Sequence, residues 1–325
     1  MLSAWSFYIA TLTVYFGVNV LSAISLNLQF GYAGVVNFGY ILFQAIGAYA
    51  AAVVVLGPSA GSFQKYVFGA TLPFPLPLVV ATLAGALLSL VLGLFSLRRI
   101  RRDYQAAILL ILSLMATQVV QGDVPLFNGS NGLTGIPRPF ESSFTSLQTY
   151  QWVYAGSTLV ICFVVYLIVT RLSRSPWGRA LRAMRDQEEA AASIGLNITA
   201  LRLQVFVIGG AIAGLSGGLL VAYINAWSPD AWGYAETFVI FTAIFVGGVG
   251  NYRGVVLGVL LVPIIFLEIP RFLPNIGYPG LKDSLQWIAI GAIWMLCLYV
   301  RPRGIIPERR KKAVREPASQ VTETQ

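Results

Sequence analysis

The chain has 325 residues, of which 57% are hydrophobic and 11% charged, with a formal net charge of +9 and a mean hydropathy of +0.73. Soluble domains are roughly 25% charged, so this composition excludes a water-facing globule, and long apolar runs separated by short polar ones read as a polytopic membrane protein. Histidine is absent and Cys162 and Cys297 both sit inside apolar runs, which leaves no basis for a metal site, a haem or a disulfide framework.

A helix needs about 20 apolar residues to cross the roughly 30 Å hydrocarbon core. In chain order, spans are predicted at 7–28, 36–56, 76–97, 104–121, 151–170, 201–222, 236–249, 254–269 and 285–300. Segment 236–249 and its neighbour are short enough to be tilted, broken or re-entrant, so about nine crossings are expected, with eight to ten allowed. The first run has no basic segment before it and no small-residue cleavage pattern after it, and is predicted to be retained. The expected fold is an all-α polytopic integral membrane protein: one transmembrane domain over 1–300, then a basic, flexible cytoplasmic tail over 301–325.

A net positive charge can mark a nucleic-acid binder, but here most lysines and arginines flank the spans, in Arg98–Arg102, Arg171–Arg185, Arg202 and Arg301–Arg315. Such blocks accumulate on the cytoplasmic side. They predict membrane lipid rather than nucleic acid as the partner of the tail, an N-terminus outside and a cytoplasmic C-terminus. Lys65, Arg138, Arg271 and Lys282 then fall in outside loops and Arg253 in an inside turn.

Glycines crowd several spans. In GLSGG (214–218) their spacing suits close helix packing. In GYAGVVNFG (31–39), glycines, a tyrosine and Asn37 at the start of a span suit close helix packing and, equally, a place where the helix can unwind and offer backbone groups to a solute. The turn-rich GSNGLTGIPRP (129–139) is predicted as an outside loop.

The charged stretch RSPWGRALRAMRDQEEAAASIGL (174–196) stands apart. Ser175 can cap a helix, Pro176 suits its first position, and Gly195 suits the left-handed residue after its end; Asn197 and Thr199 are placed to begin the next helix. Trp177, Leu181, Met184, Ala191 and Ile194 recur at helical steps, giving one amphipathic helix or two short ones meeting near Gln187. A helix lying on lipid does not require the acidic run Asp186, Glu188 and Glu189. A plain linker does not require so regular an apolar face. A coupling helix docked in a groove of a cytoplasmic partner accounts for both.

Glu189-Ala190-Ala191, followed by Gly195, resembles the E-A-A-x-x-x-G loop of ABC importer permeases. Together with GYAGVVNFGYILFQAIGAYAAA, GSNGLTGIPRP, SPDAW, FVGGVGNYRGVVLG and YVRPRGIIP, the surrounding sequence is similar to the LivM family of branched-chain amino acid permeases over about 300 residues. The resemblance implies a coupling role for Arg185, Glu188, Glu189, Ala190, Ala191 and Gly195. Glu189 would pair with an arginine across the interface or with Arg185. It also implies two cytoplasmic ATP-binding subunits, a homologous second permease subunit and an extracytoplasmic solute-binding protein, in a bacterial-type inner membrane.

No G-x-x-x-x-G-K-[ST] is present, so the chain is expected to be no enzyme, to hold no cofactor, and to leave ATP to its partner subunits. A self-powered secondary transporter would need ionisable groups within its spans, where only Glu236 and Glu268 are candidates, near span ends. Without histidine or clustered carboxylates, a membrane enzyme has no acid–base pair. The resemblance favours branched-chain, aliphatic amino acids moved inward by ATP-driven alternating access, with another amino acid, a small amide or urea as alternatives. Asn37, Gln44, Asn225 and Glu236 are the candidate path residues, each more readily read as a helix–helix hydrogen bond.

Overall fold

The computed structural model describes residues 2–57, 69–99, 102–140, 144, 146–269, 281–301 and 304–308. Lys65, Arg101, Arg271, Arg303 and the tail beyond Glu308 lie outside the described residues.

A helix lies over each predicted apolar run. α1 (Leu2–Asn27) continues as a π-helix over Leu28–Tyr32, and α2 (Tyr40–Val55), α3 (Leu76–Arg99), α4 (Arg102–Gly122) and a single turn, α5 (Val124–Phe127), follow. Then come α6 (Leu147–Arg174), α7 (Pro176–Asp186), α8 (Glu188–Ser193) and α9 (Ile198–Ile224). α10 (Tyr234–Gly247), α11 (Tyr252–Val259) with a π-helical continuation over Leu260–Phe266, and α12 (Leu281–Val300) complete the order. Among the described residues, five helical stretches are long and apolar enough to cross a membrane: Trp5–Tyr32, Leu76–Ser96, Tyr104–Gly122, Leu147–Arg174 and Ile198–Ile224.

The second predicted span begins later than its apolar run. Residues 33–39 are not helical, and α2 has 16 residues, a rise of about 24 Å against a hydrocarbon core of roughly 30 Å. Ala33, Val35 and Asn37 in this stretch are nevertheless buried. Irregular backbone at such depth persists because protein covers it. Gly34 takes a positive φ of 68°, and its N–H and that of Val35 close the π-helix on the carbonyls of Phe30 and Gln29.

Glycine decides how the central helices meet. A Cβ on Gly47 of α2 would stand 2.3 Å from the Gly214 carbonyl oxygen of α9, and one on Gly85 of α3 would stand 2.2 Å from that of Gly210. α9 is thus sandwiched backbone to backbone between α2 and α3, the arrangement that favours helix association in lipid, where apolar side chains alone supply no drive. Hydroxyls bridge α1 to the same helix: Ser25 donates to the Gly209 carbonyl at 2.6 Å, and Ser22 and Ser216 share a hydrogen bond of 3.2 Å. α10 and α11 form a second close pair, with Gly258 against the Ala243 carbonyl and Gly254 against that of Gly247. Outward-facing Leu83, Leu87, Phe163, Ile168, Ile288 and Met295 remain exposed, as lipid permits.

The two ends of the bundle differ. At one, Asn225 leaves α9 in the left-handed conformation and a two-stranded antiparallel sheet, β1 (Leu133–Thr134) with β2 (Ala226–Trp227), pairs Leu133 with Trp227 and Thr134 with Ala226. This pins the 129–139 segment to the bundle, with Leu133 and Ile136 buried against Trp227 and Trp232. At the other end lie α7 and α8.

Candidate coupling site

The charged stretch forms two short helices rather than one. Pro176 opens α7, which stops at Asp186 because Gln187 is extended (φ −150°, ψ 96°). Ser175 sits at the cap position, but its hydroxyl donates to the Leu172 carbonyl at 2.6 Å and caps no N–H of α7. Gly195 ends α8 at φ +88°, and Asn197 accepts from the Ala200 N–H at 3.0 Å to start α9.

The apolar stripe divides between two uses. Leu181 and Met184 are fully buried in the chain's own core and Ala191 nearly so, while Trp177 donates its indole N–H to Gln204 at 2.8 Å. Leu181, Met184 and Ala191 are therefore not available to a partner's groove, which corrects the expectation of a continuous docking stripe. Ile194 is 75% exposed, and with Glu189, Ala190, Ala192 and Ser193 it makes an outward face on α8. The break at Gln187 rotates α8 relative to α7, so the face that anchors and the face that remains free belong to different helices.

Arg185 is the centre of the polar contacts. Its guanidinium donates to the Gly31 carbonyl, to Glu308 at 3.0 Å and to Asp186 at 3.0 Å, with the side chain 16% exposed. Burial works against its charge, yet the Glu308 carboxylate and then Asp186 outweigh this and hold the guanidinium pKa above its ordinary value. Glu188 pairs with Arg202 of α9. Glu189 does not pair with Arg185, because the extended Gln187 destroys the continuous turn an i, i+4 pair needs, and it makes no hydrogen bond or ion pair among the described residues. Arg182 lies 5.7 Å over the Tyr32 ring, which stacks on Tyr252 at 5.0 Å, and Tyr252 shares a hydrogen bond of 2.8 Å with Ser173 at the end of α6. α7 is thus held against the π-helical end of α1 by both a carbonyl and an aromatic ring.

Immediately beside that end is a buried amide cluster. Asn37 donates to Gln29 at 3.0 Å, and Asn27 accepts from the Gly250 N–H at 2.9 Å. All three amides are 0% exposed, and Asn27 Nδ2, Gln29 Nε2 and Asn37 Oδ1 have no protein partner among the described residues. Buried polar groups normally find one. Asn27 and Gln29 were missed by the sequence reading; the signal was two amides at the end of an otherwise apolar run. Glu308 gave no sequence signal at all.

The four candidate path residues are not brought together. Asn37 belongs to the amide cluster. Gln44 is buried in α2, where its backbone carbonyl presses on Gly217 of α9. Asn225 is a clamp at the opposite end: it accepts from Arg138 at 2.8 Å and donates to the Ile136 carbonyl at 2.8 Å. Glu236 lies in the first turn of α10 with its side chain exposed.

Residues 8–294 match the family described as the permease component of branched-chain amino acid transport systems. The chain is 31% identical to a probable branched-chain amino acid transport permease protein LivM of Methanocaldococcus jannaschii, covering 93% of this chain and 94% of that protein. It is 27% identical to LivM of the high-affinity system of Escherichia coli K12, over 95% of this chain and 72% of that protein. It is also 27% identical to that system's LivH permease, over 90% and 92%. No solved structure matches.

Proposed function

The chain belongs to the family of permease components of branched-chain amino acid transport systems, and we propose that it passes branched-chain, aliphatic amino acids inward as the membrane subunit of an ABC importer, driven by ATP hydrolysed on two partner subunits. A homologous second permease, as LivH is to LivM among the relatives, completes the pore, and an extracytoplasmic binding protein delivers the solute. The chain crosses the bilayer about nine times, with its N-terminus outside and the α7–α8 end and C-terminus in the cytoplasm. The transmembrane domain runs over 1–300, and the basic residues that follow Glu308 in the tail meet anionic lipid.

The observation that carries this reading is the bond from Arg185 to the Gly31 carbonyl. It joins a water-facing helix to the point where the first span unwinds, beside three buried amides with atoms that find no partner among the described residues. The exposed face of α8, from Glu189 to Ile194, receives the ATPase; Arg185 conveys its displacement to Gly31; and the 33–39 segment changes which backbone and amide groups a passing zwitterion meets. Weak, transient contacts suit such a passage, because a solute held firmly is not released.

The test is gentle purification from membranes, identification of co-purifying proteins, and uptake in liposomes. Two ATPases, a second permease and nucleotide-dependent uptake of leucine, isoleucine or valine are expected. Uptake by this chain alone, driven by a proton or sodium gradient, would overturn the proposal. Nucleotide-driven uptake of another amino acid, a small amide or urea would keep the importer and replace the solute.

A further inference from the structure

The chain after α12 turns back onto the bundle. Gly304, at φ +69°, lies so close to the turn after α10 that a Cβ there would stand 2.5 Å from Gly248 Cα. The N–H groups of Ile305 and Ile306 donate to the carbonyls of Val246 and Gly247, each at 2.9 Å. Asn251 fastens the other edge, its side-chain amide donating to the carbonyls of Ile306 and Pro307 at 3.2 Å. The next residue, Glu308, meets Arg185 of α7 at 3.0 Å, with the two side chains only 17% and 16% exposed. Gly250 fits between them: a Cβ on it would stand 3.1 Å from Glu308 and 3.4 Å from Arg185, and its N–H bonds Asn27 of the amide cluster.

We infer that Gly304–Glu308 is a strap that fixes α7 against the α10–α11 turn, and that Glu308 is a positioning residue for coupling, holding Arg185 on the Gly31 carbonyl. The inference rests on the coupling role proposed above for α7. Arg185 divides its donors among three acceptors, of which Asp186 is the most exposed, at 50%. Without Glu308 the guanidinium can turn outward to Asp186 and release Gly31, so displacement of α8 no longer reaches the first span in full. The strap itself is held by backbone bonds and by Asn251, which Glu308 does not make, so a change at Glu308 leaves it folded.

The experiment uses the assembled importer in liposomes and measures solute uptake, ATP hydrolysis and the subunits retained. In Glu308→Gln, the subunits are expected to remain together while ATP hydrolysed per solute rises by roughly 2- to 30-fold, the range over which residues of a coupling network act. Glu308→Asp restores part of the loss, because a merely shorter carboxylate keeps the charge. Arg185→Gln combined with Glu308→Gln should cost no more than the worse single change, since both break one contact. Additive losses, or a wild-type ATP-to-solute ratio in Glu308→Gln, overturn the strap while leaving the importer standing. Uptake by the wild-type assembly without nucleotide hydrolysis overturns the importer reading and the strap with it.

Discussion

The guanidinium of Arg185 in α7 donates to the backbone carbonyl of Gly31, in the π-helical turn where the first span gives up its helix. Two elements that lie more than 150 positions apart in the chain thereby share a single side chain. Arg185→Ala strips Glu308 of its partner and Gly31 of a donor, a loss of about 1–3 kcal/mol for groups this far from water. The purified protein should melt earlier and uptake should fall about tenfold or more, at 1.4 kcal/mol per decade. Arg185→Lys, a point donor without a fork, recovers only part. Normal uptake in Arg185→Ala would show that the bond is not used.

Glu189 is exposed and its side chain makes no hydrogen bond or ion pair among the described residues, so Glu189→Ala should change the stability of the isolated permease by no more than about 0.5 kcal/mol, as surface changes do. Its effect should appear as lost ATPase retention during purification. A destabilised but fully coupled variant would place Glu189 inside the fold instead.

Gly195 has open space around a hypothetical Cβ, and only its φ of +88° opposes a side chain. Transport should therefore fall in the order Gly, Asn, Ala, Val, with a cost of about 1–3 kcal/mol at the far end. A flat series in an uptake assay removes the helix-stop role.

The α2–α9 contact tests packing rather than conformation. A Cβ on Gly47 meets the Gly214 backbone at 2.3 Å, so Gly47→Val should cost about 1–3 kcal/mol or more and broaden the size-exclusion peak. Gly156→Ala in α6, with nothing within 4 Å of the new carbon, should leave the peak unchanged. Equal behaviour of the two would mean that α9 does not lie so close.

The amide cluster predicts a separation of stability from transport. Asn37→Leu leaves the buried Gln29 Oε1 without its donor, a cost of about 1–3 kcal/mol, offset in part because it also removes a buried carbonyl oxygen with no protein partner among the described residues. Stability should fall by no more than about that amount while uptake falls at least about fivefold further than the lost folded fraction explains, which a melting curve beside a transport assay resolves. Uptake that merely tracks the melting temperature assigns Asn37 to helix packing.

Much of this architecture was legible in one dimension. A bilayer imposes a length and a polarity on any helix that crosses it, so apolar runs announced where helices lie. Pro176 and Gly195 announced the bounds of the charged stretch because each restricts a backbone angle locally. The glycines and Asn37 of residues 31–39 announced either close packing or unwinding, and the structure leaves 33–39 non-helical. Such signals are local, and local chemistry suffices to set them.

What tertiary structure alone decided is which distant groups meet. The same apolar stripe that suggested docking turned out to be consumed by the chain itself at Leu181 and Met184, leaving Ile194 outside, because an extended Gln187 turned one helix away from the other. Asn225 became a clamp on Arg138, Asn37 joined Gln29, and Glu308 reached Arg185. Sequence carries the period of a helix and the charge at its ends, but a hydrogen bond or ion pair between remote segments depends on the approach of whole helices. That approach was set here by glycine contacts whose partners no spacing names.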